Sequence, residues 1–281
     1  MCQREIKIEE LKEIQLEILK NIHKFCITYS IRYSLACGTL LGCVRHGGYI
    51  PWDDDIDIYV PREDYDRLVR IFPQVFMDRY KLVSLERDEN WDRPYAKAFD
   101  VRTILFESGT TDPLSVNIDI FPVDEVPENN LKWNIYNSIR IFINNVYQLK
   151  FVNYSSERSF IKNFAAALVK YVTCPLSKRK LAQLIDRYSR LYNKKGYSRY
   201  FENILGLLQK KPFNKSLFDD LILLKFEDQK FYCFRDFDSY LTSGYGDWRT
   251  LPPINKQVSH HSFRAYYISD LREDKNVINK G

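Results

Sequence analysis

The sequence predicts an α+β fold, in which a mixed sheet with flanking helices is followed by an α-helical, basic region. Three patterns lead to this prediction. Residues 5–29 repeat apolar side chains at spacings of three and four, as an amphipathic helix does. Residues 55–60, DIDIYV, alternate polar and apolar residues, as a strand does. From residue 131 the helical spacing returns and continues into the basic part of the chain.

The elements of the first half can be assigned in order. A strand at 32–36 leads into a short helix at 40–45, which the glycines of HGG end. Pro61 ends the strand at 55–60, and a helix follows at 62–72 with Glu63 and Asp64 in its first turn. Further strands are predicted at 80–85, 95–99, 103–107 and 116–121, and Pro122 and Pro127 are expected to close this region.

The chain is predicted to form one compact unit with two subregions. It has 281 residues, of which 45% are apolar and 28% charged, an ordinary globular composition. Residues 1–130 would hold the sheet and the N-terminal helix, and residues 131–281 would be helical, basic and finally rich in loops. The tail contains many aromatic residues, so we expect it to be ordered.

Charge is distributed unevenly between the two subregions. Residues 31–130 carry 11 basic against 19 acidic side chains, whereas residues 150–200 carry 12 against 2. The acidic part could hold cations. The basic part could face an anionic partner such as phosphate, lipid headgroups or nucleic acid, or it could be a solvated helical face.

The sequence is typical of a cytoplasmic protein. Its N-terminus is charged and has no signal-peptide core, and no apolar run approaches the roughly 18 residues of a membrane span. None of the 6 cysteines forms a CxxC pair, which favours reduced thiols. The basic helices within 150–200 leave room for peripheral contact with the inner face of the cell membrane.

A cluster of aspartates begins the strand at 55–60. Asp53, Asp55 and Asp57 share one parity and would point to one face of an extended segment. Asp119 is a lone acid in the apolar strand VNIDIFP, where an unpaired carboxylate would be costly. Carboxylates of adjacent strands form a site for a hard divalent cation, so Asp55, Asp57 and Asp119 are the predicted ligands of Mg²⁺, with Mn²⁺ as a substitute.

Three other interpretations of the aspartates compete with this one. A solvated acidic turn is disfavoured by the flanking apolar alternation. An EF-hand loop would need glycine and glutamate where the chain has Ile58 and Asp64. A glycosyltransferase that binds a nucleotide-sugar through Asp-x-Asp and a metal stays a serious alternative, although such enzymes usually open with an apolar strand.

A Gly-Thr turn precedes the aspartates and helps to discriminate between these interpretations. Gly38 would let the backbone approach a ligand closely, and Thr39 offers a hydroxyl at a helix start, so together they could cradle a phosphate. Asp55 follows Thr39 by 16 residues. The order strand, Gly-Thr, helix, Asp-x-Asp strand and later Asp strand is the arrangement of a nucleotidyltransferase.

Three blocks resemble the LicD family of phosphocholine transferases, relatives of fukutin and fukutin-related protein. The first is CGTLLGCVRHGGYIPWDDDIDIYV, the second NIDIFPVDEVP and the third YLTSGYGDWRTLPPINKQVSHH. The resemblance extends from about residue 20 to residue 262. It implies a nucleotidyltransferase-like fold and the transfer of a phosphoryl-linked headgroup from a CDP-activated donor to a sugar hydroxyl of a cell-surface glycan, with release of CMP.

The resemblance also assigns residues. It implies that Asp55, Asp57 and Asp119 bind the metal and catalyse the reaction, and that Gly38, Thr39 and Arg45 bind the donor phosphates. The C-terminal block would complete the active site. Residues expected in the donor or acceptor pocket are Trp52, Asp53, Arg235, Asp247, Trp248, His260 and His261.

One departure from the family bears on the headgroup. The chain has Phe234 and Arg235 where the family pattern has a proline. Arg235 would disfavour a choline cation and favour an anionic group, so phosphocholine, phosphoethanolamine, a polyol phosphate and a phosphonate all stay open. We predict a CDP-linked donor, a glycan or lipid-linked glycan acceptor and no nucleic-acid partner; a glycosyltransferase and a non-catalytic scaffold are the alternatives.

Overall fold

The computed structural model describes residues 4–74, 76–107, 113–151, 167, 171, 173, 175–193, 198–205, 211–259 and 263–268. Within these residues, six α-helices accompany one mixed seven-stranded sheet and two two-stranded sheets. The predicted α+β class is therefore confirmed.

In the first half of the chain, the helices and strands occur in the order that the sequence predicts. The helices are α1 (Ile8–Thr28), α2 (Cys37–His46), α3 (Arg62–Ile71), α4 (Asn130–Leu149), α5 (Lys178–Ser189) and α6 (Phe237–Tyr245). The strands are β1 (Ser34–Leu35), β2 (Asp57–Pro61), β3 (Tyr80–Val83), β4 (Ala96–Asp100), β5 (Thr103–Glu107), β6 (Asn117–Glu125), β7 (Tyr200–Asn203), β8 (Phe213–Asn214), β9 (Leu221–Phe226), β10 (Gln229–Phe234) and β11 (Phe263–Tyr267).

The main sheet has the order β1-β2-β6-β4-β3, and β7 and β8 extend it beside the far half of β6. Strands β2 and β6 are parallel, and their register sets Asp57 opposite Asp119. The expectation that Pro122 closes a strand is wrong, because β6 continues to Glu125. Pro122 lies where β6 changes its antiparallel partner: β4 pairs with it up to Ile120 and β7 from Val123, so the missing N–H breaks no ladder.

One continuous hydrophobic core joins both subregions. It contains the inner face of α1, the sheet, Ile185 of α5 and Ala265 of β11. A buried ion network adds a polar link: the guanidinium of Arg62 on α3 donates to Asp124 of β6 at 2.7 and 2.6 Å and to Asp186 of α5 at 2.9 Å. The described part of the basic region is thus attached firmly to the sheet.

The second subregion contains more strands than its sequence predicts. Residues 213–234 form β8, β9 and β10, and the loop-rich tail includes α6, which the Asp236 side chain caps by accepting from the Ser239 amide. Among the described residues, no helix is long and apolar enough to cross a membrane. Of the predicted thiols, Cys26, Cys37, Cys43 and Cys233 are free cysteines, whereas Cys2 and Cys174 lie outside the described residues.

Candidate active site

The start of α2 holds the start of β2 in place. The amide of Asp57 donates to the Thr39 hydroxyl at 2.8 Å, and the carbonyl of Asp57 accepts from the Ala36 amide at 3.0 Å. Thr39 is buried, at 3% exposure. Its hydroxyl therefore positions the Asp57 backbone. Thr39 is not among the described residues that line the two cavities beside the aspartates.

Backbone strain marks the same turn. Cys37, the first residue of α2, has φ 48°, in the left-handed region that costs a non-glycine residue about 1–3 kcal/mol. Its amide donates to the Tyr240 hydroxyl of α6 at 3.2 Å, so the C-terminal block reaches this turn. Burial, followed by the nearby charge of Asp57, raises the pKa of the Cys37 thiol well above its ordinary value. The thiol is thus kept protonated.

Gly38 allows a carboxylate to lie against the first turn of α2. A Cβ atom on Gly38 would lie 2.5 Å from Oδ2 of Asp53, closer than real Cβ contacts. Glycine thus leaves room for the Asp53 carboxylate, at a helix N-terminus where partial positive charge favours an anion, and a larger residue would displace that side chain. In this structure the group that approaches Gly38 is a side chain of the chain itself, and the approach of a phosphate to Gly38 stays a prediction.

Asp57 and Asp119 are neighbours across the parallel pair β2 and β6. The ammonium of Lys97, on β4, lies 2.5 Å from Oδ1 of Asp119 and 2.8 Å from Oδ1 of Asn117. Lys97 was not predicted as a site residue. The sequence offered one signal, a lone lysine within an apolar strand. The pairing of β4 with β6 places this lysine opposite Asp119, and sequence spacing does not reveal that pairing.

The carboxylates repel one another in the absence of a cation. Burial, then the charges of Asp55, Asp119 and Asp53, raise the pKa of Asp57 well above its ordinary value, with Lys97 acting in the opposite direction. A divalent cation would restore the ionised form, and an all-oxygen set suits Mg²⁺ or Mn²⁺. The donor types of Asp55, Asp57 and Asp119 suit the predicted metal, and this ligand set stays a prediction. Among the described residues, the carboxylates whose oxygens lie within 4.8 Å of one another are those of Asp53, Asp54 and Asp55, a group that does not include Asp57 or Asp119.

Two cavities meet at these acids. The larger cavity has a volume of about 600 Å³, and the smaller cavity has about 380 Å³. Asp55 and Asp57 line both of them. Gly38, Arg45 and Lys256 line only the larger cavity, whereas Lys97 and Asp119 line only the smaller one.

The larger cavity collects most of the other predicted residues. Arg45, Trp52, Asp53, Asp247 and Trp248 all line it. Nη1 of Arg45 donates to the Trp248 carbonyl at 3.0 Å, which joins the first sequence block to the third. The hydrogen bond from the Thr250 hydroxyl, at 2.6 Å, lowers the pKa of the Asp247 carboxyl below its ordinary value. Six of the residues named for phosphate or pocket binding therefore surround one space, namely Gly38, Arg45, Trp52, Asp53, Asp247 and Trp248.

Arg235 does not lie where the sequence placed it. Its Nε donates to both carboxylate oxygens of Asp220 at 2.8 Å, on the exposed surface, and Arg235 is not among the described residues that line either cavity. The expectation was wrong because β10 ends at Phe234 and directs the next side chain outward, beside the turn that precedes β9. The objection to choline based on Arg235 therefore falls. His260 and His261 lie outside the described residues.

Comparison with known proteins gives a family. The family model "LicD/FKTN/FKRP, nucleotidyltransferase domain" matches residues 30–184. The lipopolysaccharide cholinephosphotransferase LicD of Haemophilus influenzae is 30% identical over 275 residues, which cover 94% of this chain and 100% of the relative. Uncharacterized proteins of Rickettsia prowazekii and Rickettsia typhi match over shorter lengths: 40% identity over 31% of this chain and 33% of the relative, and 39% over 27% and 25%.

The matched range contains both parallel strands and every predicted metal ligand, and the Haemophilus protein aligns along almost the whole chain. The family predicted from the three sequence blocks is thus confirmed, and the chain belongs to the LicD/FKTN/FKRP family.

Proposed function

We propose that the protein transfers phosphocholine from CDP-choline to a sugar hydroxyl of lipopolysaccharide and releases CMP, with Mg²⁺ held by Asp55, Asp57 and Asp119. The observation that carries this proposal is the register of β2 and β6, which sets Asp57 beside Asp119 at the junction of two cavities. Membership of the LicD family makes the chain a transferase. The choline and lipopolysaccharide assignments rest on the name of the Haemophilus relative.

The larger cavity suits the donor. Two cationic side chains among its described lining residues, Arg45 and Lys256, could bind the diphosphate together with the N-terminus of α2 at Gly38. When bound, Mg²⁺ would neutralise charge on the diphosphate and on the departing CMP. Lys256 was not singled out in the sequence, because a lone lysine in a proline-rich loop is usually an ordinary surface residue.

The reaction would be a displacement at the phosphorus that carries choline. The oxygen of the acceptor hydroxyl forms a bond to this phosphorus, and the bond from phosphorus to the bridging oxygen of CMP breaks, so that CMP leaves with the electron pair. The hydroxyl proton passes to a carboxylate, for which Asp119 is our candidate. The protein's contribution is then mainly orientation and charge stabilisation.

The rings of the larger cavity favour a choline headgroup. Trp52 and Trp248 line it together with the acids Asp53 and Asp247. A quaternary ammonium binds well against an indole face and near carboxylates. The guanidinium of Arg249 lies 4.4 Å from one Trp248 ring and so uses one face of it. A smaller or anionic headgroup would gain less from this wall.

Ligand-induced thermal stabilisation of the pure protein tests the proposed function. We expect CDP-choline with Mg²⁺ to raise the melting temperature more than CDP-ethanolamine, CDP-ribitol or UDP-glucose, since a ligand at 100 times its Kd adds roughly 2.7 kcal/mol of stability. Asp57→Asn should abolish the Mg²⁺-dependent part of the shift. Stabilisation by UDP- or GDP-sugars alone would support the glycosyltransferase alternative, and no response to any nucleotide would support a scaffold.

An Asp→Asn substitution at the neighbouring Asp54 tests which aspartates bind the ion. Asp54 is buried at 5%, and its Oδ2 accepts from the Ser259 hydroxyl at 2.8 Å. Asp54→Asn keeps an acceptor there and removes the same charge as Asp57→Asn. The proposed ligand set predicts that Asp54→Asn retains the Mg²⁺-dependent shift. Loss of that shift would assign the ion to Asp53, Asp54 and Asp55 instead.

We retain, as part of the proposal, a cytoplasmic location with peripheral contact to the membrane that carries the acceptor. On α4, Leu131, Ile135 and Phe142 are 69%, 56% and 67% exposed and follow one face. Lys178 and Lys180 begin the neighbouring α5.

Vesicle binding tests this contact. Arg179 is a poor choice for charge reversal, since its guanidinium donates to carbonyls of Leu85, Asp88 and Trp91. Lys178→Glu with Lys180→Glu should weaken binding to vesicles that contain phosphatidylglycerol. Lys225→Glu, on β9, is the matched control. Equal binding by the double variant and the control would reject the contact.

A further inference from the structure

We propose that the smaller cavity binds the acceptor substrate and that Arg93 binds an anionic group of this acceptor, such as a phosphate or carboxylate, next to the reacting sugar hydroxyl. This inference rests on the proposed function and adds the location and chemical class of the second substrate.

The acids Asp55 and Asp57 lie between the two cavities. Asp55 and Asp57 line both cavities, so a group bound at these carboxylates is reachable from either side. In a phosphoryl displacement, the attacking and leaving oxygens lie roughly in line on opposite sides of the phosphorus. A donor whose leaving nucleotide fills one cavity therefore needs its acceptor to approach from the other.

The linings of the two cavities suit different substrates. The larger cavity has the N-terminus of α2, Arg45 and Lys256 on its wall, which suits a diphosphate. The smaller cavity contains Asp119, the carboxylate proposed to receive the proton, and its volume of about 380 Å³ suits a short oligosaccharide segment within the usual range for ligand sites of roughly 300–1,000 Å³. The proton acceptor and the hydroxyl would thus share one cavity.

The smaller cavity has cationic side chains of its own, Lys97 and Arg93. Lys97 is committed to the chain's own groups, at 2.5 Å from Asp119 and 2.8 Å from Asn117, so it holds Asp119 in position. Among the described residues of this lining, Arg93 is the second cation, and its side chain is hydrogen-bonded to Tyr95. Its guanidinium lies 5.9 Å from the Trp91 ring and 6.0 Å from the Phe151 ring, which orient a planar group that can bind an anion bidentately. Gln148, at the end of α4, is an exposed member of the same lining.

A crossed pair of charge removals tests the inference. Arg93→Met and Lys256→Met each remove one cation from one cavity while keeping an unbranched side chain. Donor affinity is measured by calorimetry with CDP-choline and Mg²⁺, and acceptor KM is measured with deacylated lipopolysaccharide oligosaccharide. Arg93→Met should raise the acceptor KM roughly tenfold, the loss of one charge-assisted hydrogen bond, and leave donor Kd within twofold. Lys256→Met should do the reverse.

A second variant keeps the test independent of Arg93. Gln148→Trp would fill the smaller cavity and should also raise the acceptor KM without changing donor Kd. If both variants leave the acceptor KM unchanged, or if either weakens CDP-choline binding as much as Lys256→Met does, the acceptor assignment is overturned while the proposed function stands. If the wild-type protein transfers nothing from CDP-choline to this oligosaccharide, the proposed function fails, and the inference fails with it.

Discussion

Replacing Thr39 by valine would remove the one hydroxyl that accepts the Asp57 amide and would change the side-chain shape little. The hydrogen bond is 2.8 Å long, and Thr39 is 3% exposed. A buried amide that loses its acceptor costs about 1–3 kcal/mol. We therefore expect Thr39→Val to lower the free energy of unfolding by about 2 kcal/mol.

The same change should reduce turnover, because the amide concerned belongs to the residue that begins β2 and bears a predicted metal ligand. A displacement of about 1 Å at such a position costs on the order of 100-fold in rate. Thr39→Ser keeps the acceptor oxygen and is the matched control, with stability and turnover close to those of the wild type.

Denaturant unfolding gives the stability, and CMP release from CDP-choline gives kcat and donor KM. If Thr39→Val unfolds like the wild type but has a raised donor KM at unchanged kcat, the hydroxyl binds donor phosphate as the sequence suggested, and the positioning role is refuted.

Three further predictions concern other parts of the chain. Gly38→Ala should change the free energy of unfolding by less than about 1 kcal/mol but reduce CMP release. Gly47 has φ 69° and open space around it, so Gly47→Ala should lower the free energy of unfolding by about 1 kcal/mol and leave CMP release intact. The opposite pattern would contradict the close approach at Gly38. Burial raises the pKa of Glu202 to about 7 from its ordinary 4.5, so its protonated form contributes stability below pH 4.5 that is lost as pH rises through 7. When the free energy of unfolding is measured from pH 5 to 8, the wild type should lose up to roughly 3 kcal/mol more stability than Glu202→Gln. An equal pH dependence of the two proteins would contradict this assignment. Arg235→Ala should change stability by less than about 1 kcal/mol and donor Kd by less than twofold, since its ion pair with Asp220 is exposed; a weaker Kd would restore it to the site.

The sheet strands around the site could be predicted because their patterns are local. The alternation of residues 55–60 and the apolar run around Asp119 predict two strands, and both form. The sequence also suggested that these strands are adjacent, because a lone acid in an apolar strand needs a partner. The extension of β6 beyond Pro122 escaped prediction, since it depends on a change of neighbouring strand.

Other features depend on contacts between distant residues. Lys97 reaches Asp119 only through the pairing of β4 with β6, and Tyr240 reaches Cys37 across 203 positions of the chain. The turn between β9 and β10 uses Glu227 at φ 56°, where glycine or asparagine would have signalled a hairpin. The direction of the Arg235 side chain is set by the residue at which β10 ends, and the sequence did not reveal that end.

CMP release from CDP-choline in the presence of Mg²⁺ and lipopolysaccharide oligosaccharide, compared between the wild type and Asp57→Asn, tests the central claim most directly. The account predicts Mg²⁺-dependent release of one CMP for each phosphocholine transferred, and a loss of about 100- to 1,000-fold in kcat for Asp57→Asn, as expected when a charge-stabilising group is removed from the reacting centre. Turnover by Asp57→Asn within about threefold of the wild type, at equal folded fraction, would contradict the account.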